Sequence, residues 1–508
     1  MEFRGSELPR DRLRSRNVLR WYMAKKYREP SLHQTLLLPP SLEDWLPEDH
    51  LARFVLDVVD ELDLSPIEKV IQAKDPRGER PYSPRMMVAL LFYSYATGRF
   101  SSRRIARGCV EDVALRVISR NTQPHFTRIA SFRRVHLEAL AGLFQDVLGL
   151  CREAGLVSST HAWLDGTKIQ ANASKHKAMS YAGMKEREAR LTAEVEELLR
   201  RAEEADKSED DEHGEGRDTG DDVAAEVRRR ESRRDWIRRT REALEKEARE
   251  ARAAALRELA RANNHTERDD PADEARDRSR AERQIQRADE LDSTPKDPAP
   301  APTDDIPEHK PPVEKGGTPK PEAQRNFTDA DSRIMKDGRG AFIQGFNAQA
   351  VVVESQVIVA TGVSNLAADA PHVAVMLART VEALGQAPQT WTADNGYYSE
   401  DNVLTALEAG SQPYYALGRE RRRWPPPPVV AGAPPEDDAR AWMSWHLDTE
   451  AGREQMRLRK CKVEPVFGII KAAMGFRQFL LRGVEKVRAE WQLVCLAHNL
   501  RKLHLARA

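Results

Sequence analysis

Between residues 31 and 155 apolar side chains recur at three- and four-residue spacing in four runs: LEDWLPEDHLARFVLDVVDEL, PYSPRMMVALLFYSYATG, SSRRIARGCVEDVALRVI and FTRIASFRRVHLEALAGLFQDVLGLCREAGL. That period predicts amphipathic helices, with Ser, Pro or Asp near the starts and Gly near the stops. A short run, THAWLDGTKIQANAS, then reads as a strand up to Asp165. Beyond it the period becomes that of a heptad seam, through Leu191, Val195, Leu198, Ala202 and Ala205. A second seam runs through Ile237, Leu244, Ala248, Ala251 and Ala255, interrupted by Arg241. Between the seams lies SEDDEHGEGRDTGDD, so an antiparallel hairpin of two long helices is expected. It should project as an arm, because 31 of residues 201–250 are charged and cannot be buried.

Residues 265–325 hold ten prolines and few large apolar side chains, the composition of a flexible linker. Order returns at Asp329. AFIQGFNAQAVVV and VIVATGVS predict a β-hairpin around Glu354, Ser355 and Gln356; APHVAVMLARTVEALG predicts a helix, QTWTADNG a strand ending in Asp394, SEDNVLTALEAG a helix and QPYYALGR a strand. That order describes a mixed sheet flanked by helices, an α/β fold. RRRWPPPPVVAGAPPEDDA reads as an inserted loop, and residues 453–506 as mostly helical.

Charge changes this picture. The totals cancel, 81 Lys and Arg against 81 Asp and Glu, which taken alone argues against a nucleic-acid partner. Mapped along the chain they do not cancel. Residues 81–140 hold ten Arg against three acids, a net +7, and residues 451–508 hold thirteen Lys or Arg against four acids, a net +9. Residues 201–225 carry eleven acids against three basic residues, a net −8. Two basic regions suited to phosphates are thus masked by an acidic arm. No apolar run approaches the ~18 residues of a membrane span. The basic start lacks the apolar core of an export signal. Cys109, Cys151, Cys461 and Cys495 are far apart and form no CxxC pair, so neither a disulfide framework nor a zinc ribbon is expected, and a reducing cytoplasm fits.

Three acids stand where strands end or a helix turns towards the sheet: Asp165 in WLDGTK, Asp394 in TADNGY and Glu464 in KVEPVFG. Open α/β sheets place their sites at such edges. Three carboxylates brought together repel unless cations sit among them, and hard oxygen donors suit Mg²⁺ or Mn²⁺. Two such ions activate an attacking oxygen and stabilise a leaving one in phosphodiester cleavage.

LDGTKIQANAS, TDADSRIMK with GFNAQAVV, TADNGYYS, and the stretch from Arg459 through VEPVFGIIK to FLLRG and LAHNLRKL together resemble the DDE transposases of bacterial insertion sequences. The helical region, with YSPRMMVALLFYSYATG, is similar to the N-terminal domain common in that group. The resemblance implies an RNase H-like catalytic core in which Asp165, Asp394 and Glu464 are the catalytic metal ligands, with two Mg²⁺ or Mn²⁺ ions. In its third motif a Tyr and an Arg precede the Glu and a Lys follows it. Lys471 fits, on the Glu464 helix face about two turns on. Arg459 lies one residue farther from Glu464 than usual, Lys460 fills the expected place, and the Tyr is missing. Asp369, in NLAADAPH, matches an acid often present in the group and reads as a helix N-cap.

The organisation expected is a basic segment at 1–30, a helical DNA-binding domain at 31–155, the start of the catalytic domain at 156–182, the coiled-coil-like hairpin at 183–264, the linker at 265–325, and the rest of the catalytic domain with C-terminal helices at 326–508. Lys471, Arg459, Lys460, Arg482 and Lys486 are expected to hold the phosphate backbone, and Arg103, Arg104, Arg133 and Arg134 to find the element's end. Double-stranded DNA is the expected partner, as inverted-repeat ends and as target, with a homodimer joining two ends and the arm as one candidate contact. A nuclease that cuts without joining, and a silent DNA-binding protein, stay open as alternatives. His176, Trp163 and Trp491 read as surface, packing and core residues.

Overall fold

The computed structural model describes residues 41, 43–73, 80–211, 220–265, 271–292, 306–418 and 438–507. The basic segment 1–30 and most of the Pro-rich insertion near 421–439 lie outside the described residues. The helical region opens with α1 (Leu51–Glu61), where the His50 ring accepts a hydrogen bond from the Ala52 N–H at 3.1 Å. Then come α2 (Ser65–Gln72), α3 (Pro84–Ala96), α4 (Ser102–Glu111), α5 (Val113–Ile118), α6 (Phe126–Val135) and α7 (Leu137–Glu153). Helix α3 is buried at every position from Met87 to Ala96. A helix apolar all round has to be surrounded, and α1, α5 and the chain's last helix do this.

Strand β1 (His161–Gln170) starts the sheet, and the chain then leaves it through β2 (Ala178–Ser180) for an excursion of three helices, α8 (Tyr181–Asp211), α9 (Gly220–His265) and α10 (Pro271–Leu291). Helices α8 and α9 pack on each other, with Leu191, Ile237 and Leu244 of the expected seams in one buried cluster with Tyr181, Met184 and Ala323, whereas Ala251 and Ala255 are only half-buried. Side chains of Ala202 and Ala205 lie outside the described residues. Arg241, which breaks the second seam, is satisfied by Glu188 at 2.8 Å and Glu245 at 2.6 Å. The third helix was not expected, because 265–325 reads as linker. Residues 271–291 are helical and pack on α9 through Ala253, Leu256 and Ala288, with Arg257 bonded to Asp289 at 3.0 Å. The chain returns through β3 (Gln324–Asn326), paired antiparallel to β2. Glu247 of α9 ties the base of the excursion to the sheet, 2.6 Å from Arg325 and 3.0 Å from Arg333.

The remaining strands are β4 (Arg333–Lys336), β5 (Phe342–Val352) and β6 (Ile358–Ser364), then after α11 (Val373–Leu384), β7 (Thr390–Ala393), and after α12 (Glu400–Glu408), β8 (Gln412–Tyr415). The sheet runs β4-β5-β1-β7-β8, with β6 also on β5. Strands β1, β7 and β8 are parallel, and β5 is antiparallel to β1 and β6. The result is the expected mixed α/β architecture. Helices α13 (Ala439–Asp448), α14 (Glu450–Lys462) and α15 (Glu464–Gly468) follow, and α15 widens into a π-helical turn at Ile469–Ala473. Finally α16 (Val484–Arg507) packs against α3, α7 and β6 together. Gly98 marks this junction: its φ is +80° and a Cβ there would stand 2.4 Å from the Met474 carbonyl. The helical region and the sheet therefore share one core through α16. Among the described residues no helix is long and apolar enough to cross a membrane.

Candidate active site

In the parallel pair β1 and β7, His161 lies beside Thr390 and Trp163 beside Thr392. Asp394 is the first residue past the end of β7, near enough to β1 for its charge to act on the Asp165 carboxyl. Asp394 turns the chain: its Oδ1 accepts the Gly396 N–H at 2.8 Å and opens a 3-10 turn over Asn395–Tyr397. Asp165 does not end its strand, contrary to the sequence reading. Strand β1 continues to Gln170, held throughout by β5. What ends at Asp165 is the partner on the other side, because β7 stops at Ala393.

Burial pushes the Asp165 carboxyl up to about 7, and the charges of Asp394 and Glu464 add to the rise; the Gly166 N–H, which the carboxylate accepts at 2.7 Å, and the Arg459 charge oppose it. The three sequence-predicted acids therefore share one electrostatic environment. Glu464 is the first residue of α15, where a negative charge suits the helix dipole. Its Oε1 lies 3.4 Å from Nη2 of Arg459, and its side chain is half exposed.

Successive strand residues face opposite sides, so Asp165 and Thr167 share one face of the sheet while Gly166 and Lys168 share the other. Lys471 donates from its ammonium to Thr167 Oγ1. It does so from the π-helical turn, whose extra residue shifts it off the regular helix face expected from its spacing to Glu464. Burial lowers the Lys471 ammonium's pKa, and the Asp165 charge counters this.

The opposite face carries a network the sequence reading missed. Asp369 Oδ1 accepts from Lys168 Nζ at 2.9 Å, Asn347 Nδ2 at 2.8 Å and Gln349 Nε2 at 3.2 Å. The Tyr397 hydroxyl donates to Gln349 Oε1. Asp369 precedes a 3-10 turn, but its side chain makes no capping bond, so the N-cap expectation fails. The network fixes Gly166: a Cβ there would stand 2.5 Å from Gln349 Nε2 and 2.7 Å from the Tyr397 hydroxyl. The available signal was Asn347 and Gln349 alternating within a largely apolar strand, both fully buried.

The expected phosphate contacts divide. Arg103, Arg104 and Arg134 are exposed on α4 and α6, and Lys460, Arg482 and Lys486 are exposed near the C-terminus. Arg133 is not: it is 8 % exposed, and its Nη1 donates to the Tyr95 hydroxyl at 3.0 Å and the Phe100 carbonyl at 2.8 Å. Arg459 is likewise turned inward, its side chain 13 % exposed. His176 is exposed, and Trp163 and Trp491 are buried, the latter donating to the Gln349 carbonyl at 2.9 Å.

Among the described residues no group of three or more Asp, Glu, His or Cys side chains is placed to hold a metal ion. Asp165 and Asp394 nonetheless fit a hard divalent cation: both offer carboxylate oxygens, and their repulsion is the kind a cation offsets.

Comparison with known families adds two matches. A transposase domain (DUF772) model matches residues 40–135, and a transposase DDE domain model matches residues 432–504. The second includes Glu464 and Lys471 and does not reach Asp165 or Asp394. No curated protein and no solved structure matches the chain. DDE transposases use divalent metal ions and act on DNA. One transposase match falls on the helical region and another on the segment that packs against it through α16, and together they support an insertion-sequence DDE transposase.

Proposed function

We propose that the chain binds the inverted-repeat ends of an insertion sequence, cuts them, and joins the freed 3′-hydroxyl to target DNA, working as a homodimer that holds two ends on an RNase H-like core. The observation that carries this reading is the shared environment of Asp165, Asp394 and Glu464, with Asp165 pushed up to about 7. Asp165 and Asp394 would hold the metal, with Glu464 completing the set. Bound there, Mg²⁺ or Mn²⁺, two ions in the usual arrangement, supplies Lewis acidity for attack on the phosphodiester and for the leaving oxygen.

The chain's own groups do the rest. Lys471, anchored on Thr167 two residues from Asp165, sets a cation beside the carboxylates for the phosphate. Arg459 orients Glu464 rather than DNA. Lys460, Arg482 and Lys486 supply backbone contacts, and Arg103, Arg104 and Arg134 those of the helical region. Arg133 braces the core instead. Asp165→Asn should cut cleavage of end DNA by about a hundred- to a thousand-fold, the scale for removing a stabiliser of transition-state charge, and leave end binding largely intact. A mutant that still nicks end DNA would refute the site. In the wild type, cleaved ends without joined product would leave only the nuclease.

A further inference from the structure

Strand β1 outruns the carboxylates. Five residues past Asp165 it ends at Gln170, about 17 Å away at 3.3–3.4 Å per residue, on the wall of an open cleft of 640 Å³. Lys175, Lys177 and Arg482 line the cleft and are exposed, and among the described residues no acid lines it. Arg482 is held in place by the bond from its Nε to the Asn172 carbonyl at 2.9 Å. Phe342, at the start of β5, also lines the cleft and is 58 % exposed, an unusual exposure for a ring in a strand.

Gln344, beside the cleft, carries a buried amide oxygen without a partner. It is 3 % exposed, lines the cleft, and donates from Nε2 to Ser332 Oγ at 2.8 Å. The Ser332 hydroxyl hydrogen is already committed to the Asp329 carbonyl at 2.7 Å, so Oγ can only accept from Gln344. The amide orientation is thereby fixed, and Gln344 Oε1 is left buried with no donor. A buried acceptor without a donor is costly.

Cations for phosphates and an exposed ring for stacking are the contacts that suit an unpaired nucleotide; in a duplex the faces of the bases are already stacked on their neighbours. The volume is that of a pocket for a small molecule, not of a duplex groove. We propose that this cleft binds an unpaired stretch of DNA strand, about three to five nucleotides from the phosphate at Asp165 at 3.4 Å or more per nucleotide. The inference rests on the DNA-cutting reading for its position, but its test does not need cleavage.

The full chain in metal-free buffer is titrated into a fluorescein-labelled ten-nucleotide oligo-dC, and into a blunt duplex of the same length, with fluorescence anisotropy as readout. Phe342→Ala should weaken single-strand binding roughly ten-fold and spare the duplex. Lys175→Ala with Lys177→Ala should lower the salt dependence of single-strand binding by about 1.4 in slope, at ~0.7 per phosphate contact. Asp165→Asn should bind the single strand as wild type does. The proposal is overturned if the wild type does not bind the single strand, if the cleft variants bind it as wild type does, if they lose single strand and duplex equally, or if Asp165→Asn abolishes single-strand binding. Single-strand binding kept in a chain that cuts no end DNA would remove the cleavage reading and leave the cleft standing.

Discussion

Arg459 links two of the three carboxylates: its Nη2 stands 3.4 Å from Glu464 Oε1, while its charge pulls the Asp165 carboxyl down against the burial that pushes it up. Arg459→Ala should therefore slow end cleavage about 10–100-fold, the usual cost of losing a group that orients a metal ligand, with end binding nearly unchanged. Arg459→Lys keeps the charge without the planar fork and should fall between. Nicking rates measured beside gel-shift affinities decide this, and an unchanged rate in Arg459→Ala would make the ion pair incidental.

The Asp165 carboxyl also predicts how pH and metal act together. Its folded-state value of about 7 lies above the ordinary 3.8. The folded chain therefore holds this proton more tightly than the unfolded chain, and the stability it contributes is complete below about pH 4 and is lost as pH rises through about 7. A cation favours the ionised form. Millimolar Mg²⁺ should raise the unfolding temperature more near pH 8 than near pH 5, and Asp165→Asn should lose that difference. Equal metal shifts at both pH values would contradict the assignment.

Gly166→Ala places a methyl group 2.5 Å from Gln349 Nε2 and 2.7 Å from the Tyr397 hydroxyl. Gln349 cannot retreat without giving up Asn347 and Asp369, and Tyr397 is buried. The expected cost is about 1–3 kcal/mol of stability, as for other overpacked cores, read by urea unfolding. Adding Gln349→Ala should recover part of it; no recovery would mean that the strain lies elsewhere.

Glu490 is fully buried in α16, accepts the Leu480 and Leu481 N–H groups, and burial pushes its carboxyl up to about 7. By the same sign its contribution is present below about pH 4.5 and fades as pH rises through about 7. Between pH 5.5 and pH 8, Glu490→Gln should lose less unfolding free energy than the wild type. Parallel pH curves for the two proteins would rule this out.

The helices of 51–153, the hairpin of β5 and β6, and the pairing of α8 with α9 were legible because apolar spacing writes them directly. Arg133 was misread because charge was counted without its stripe: it stands four residues after the buried Ile129, on the one face of α6 that is buried. Helix α10 was missed because its contacts are small, Ala281 and Ala288 at heptad spacing, and a Pro-rich stretch follows it. The nearness of Asp394 to Asp165 depends on where β7 stops, and the Asp369 network depends on residues far apart in sequence; neither is written in a local pattern.

The short ladder of β2 and β3 sets Ala178 opposite Asn326 and Ser180 opposite Gln324, so residues 181–323 leave and return through one doorway. In polymer terms this makes the excursion a closed loop, whose closure entropy grows only with the logarithm of its length, about 0.6 kcal/mol for each doubling. The arm can therefore lengthen or shorten over generations with little effect on folding of the sheet beneath it, provided the two strands of the doorway and the Glu247 anchor persist.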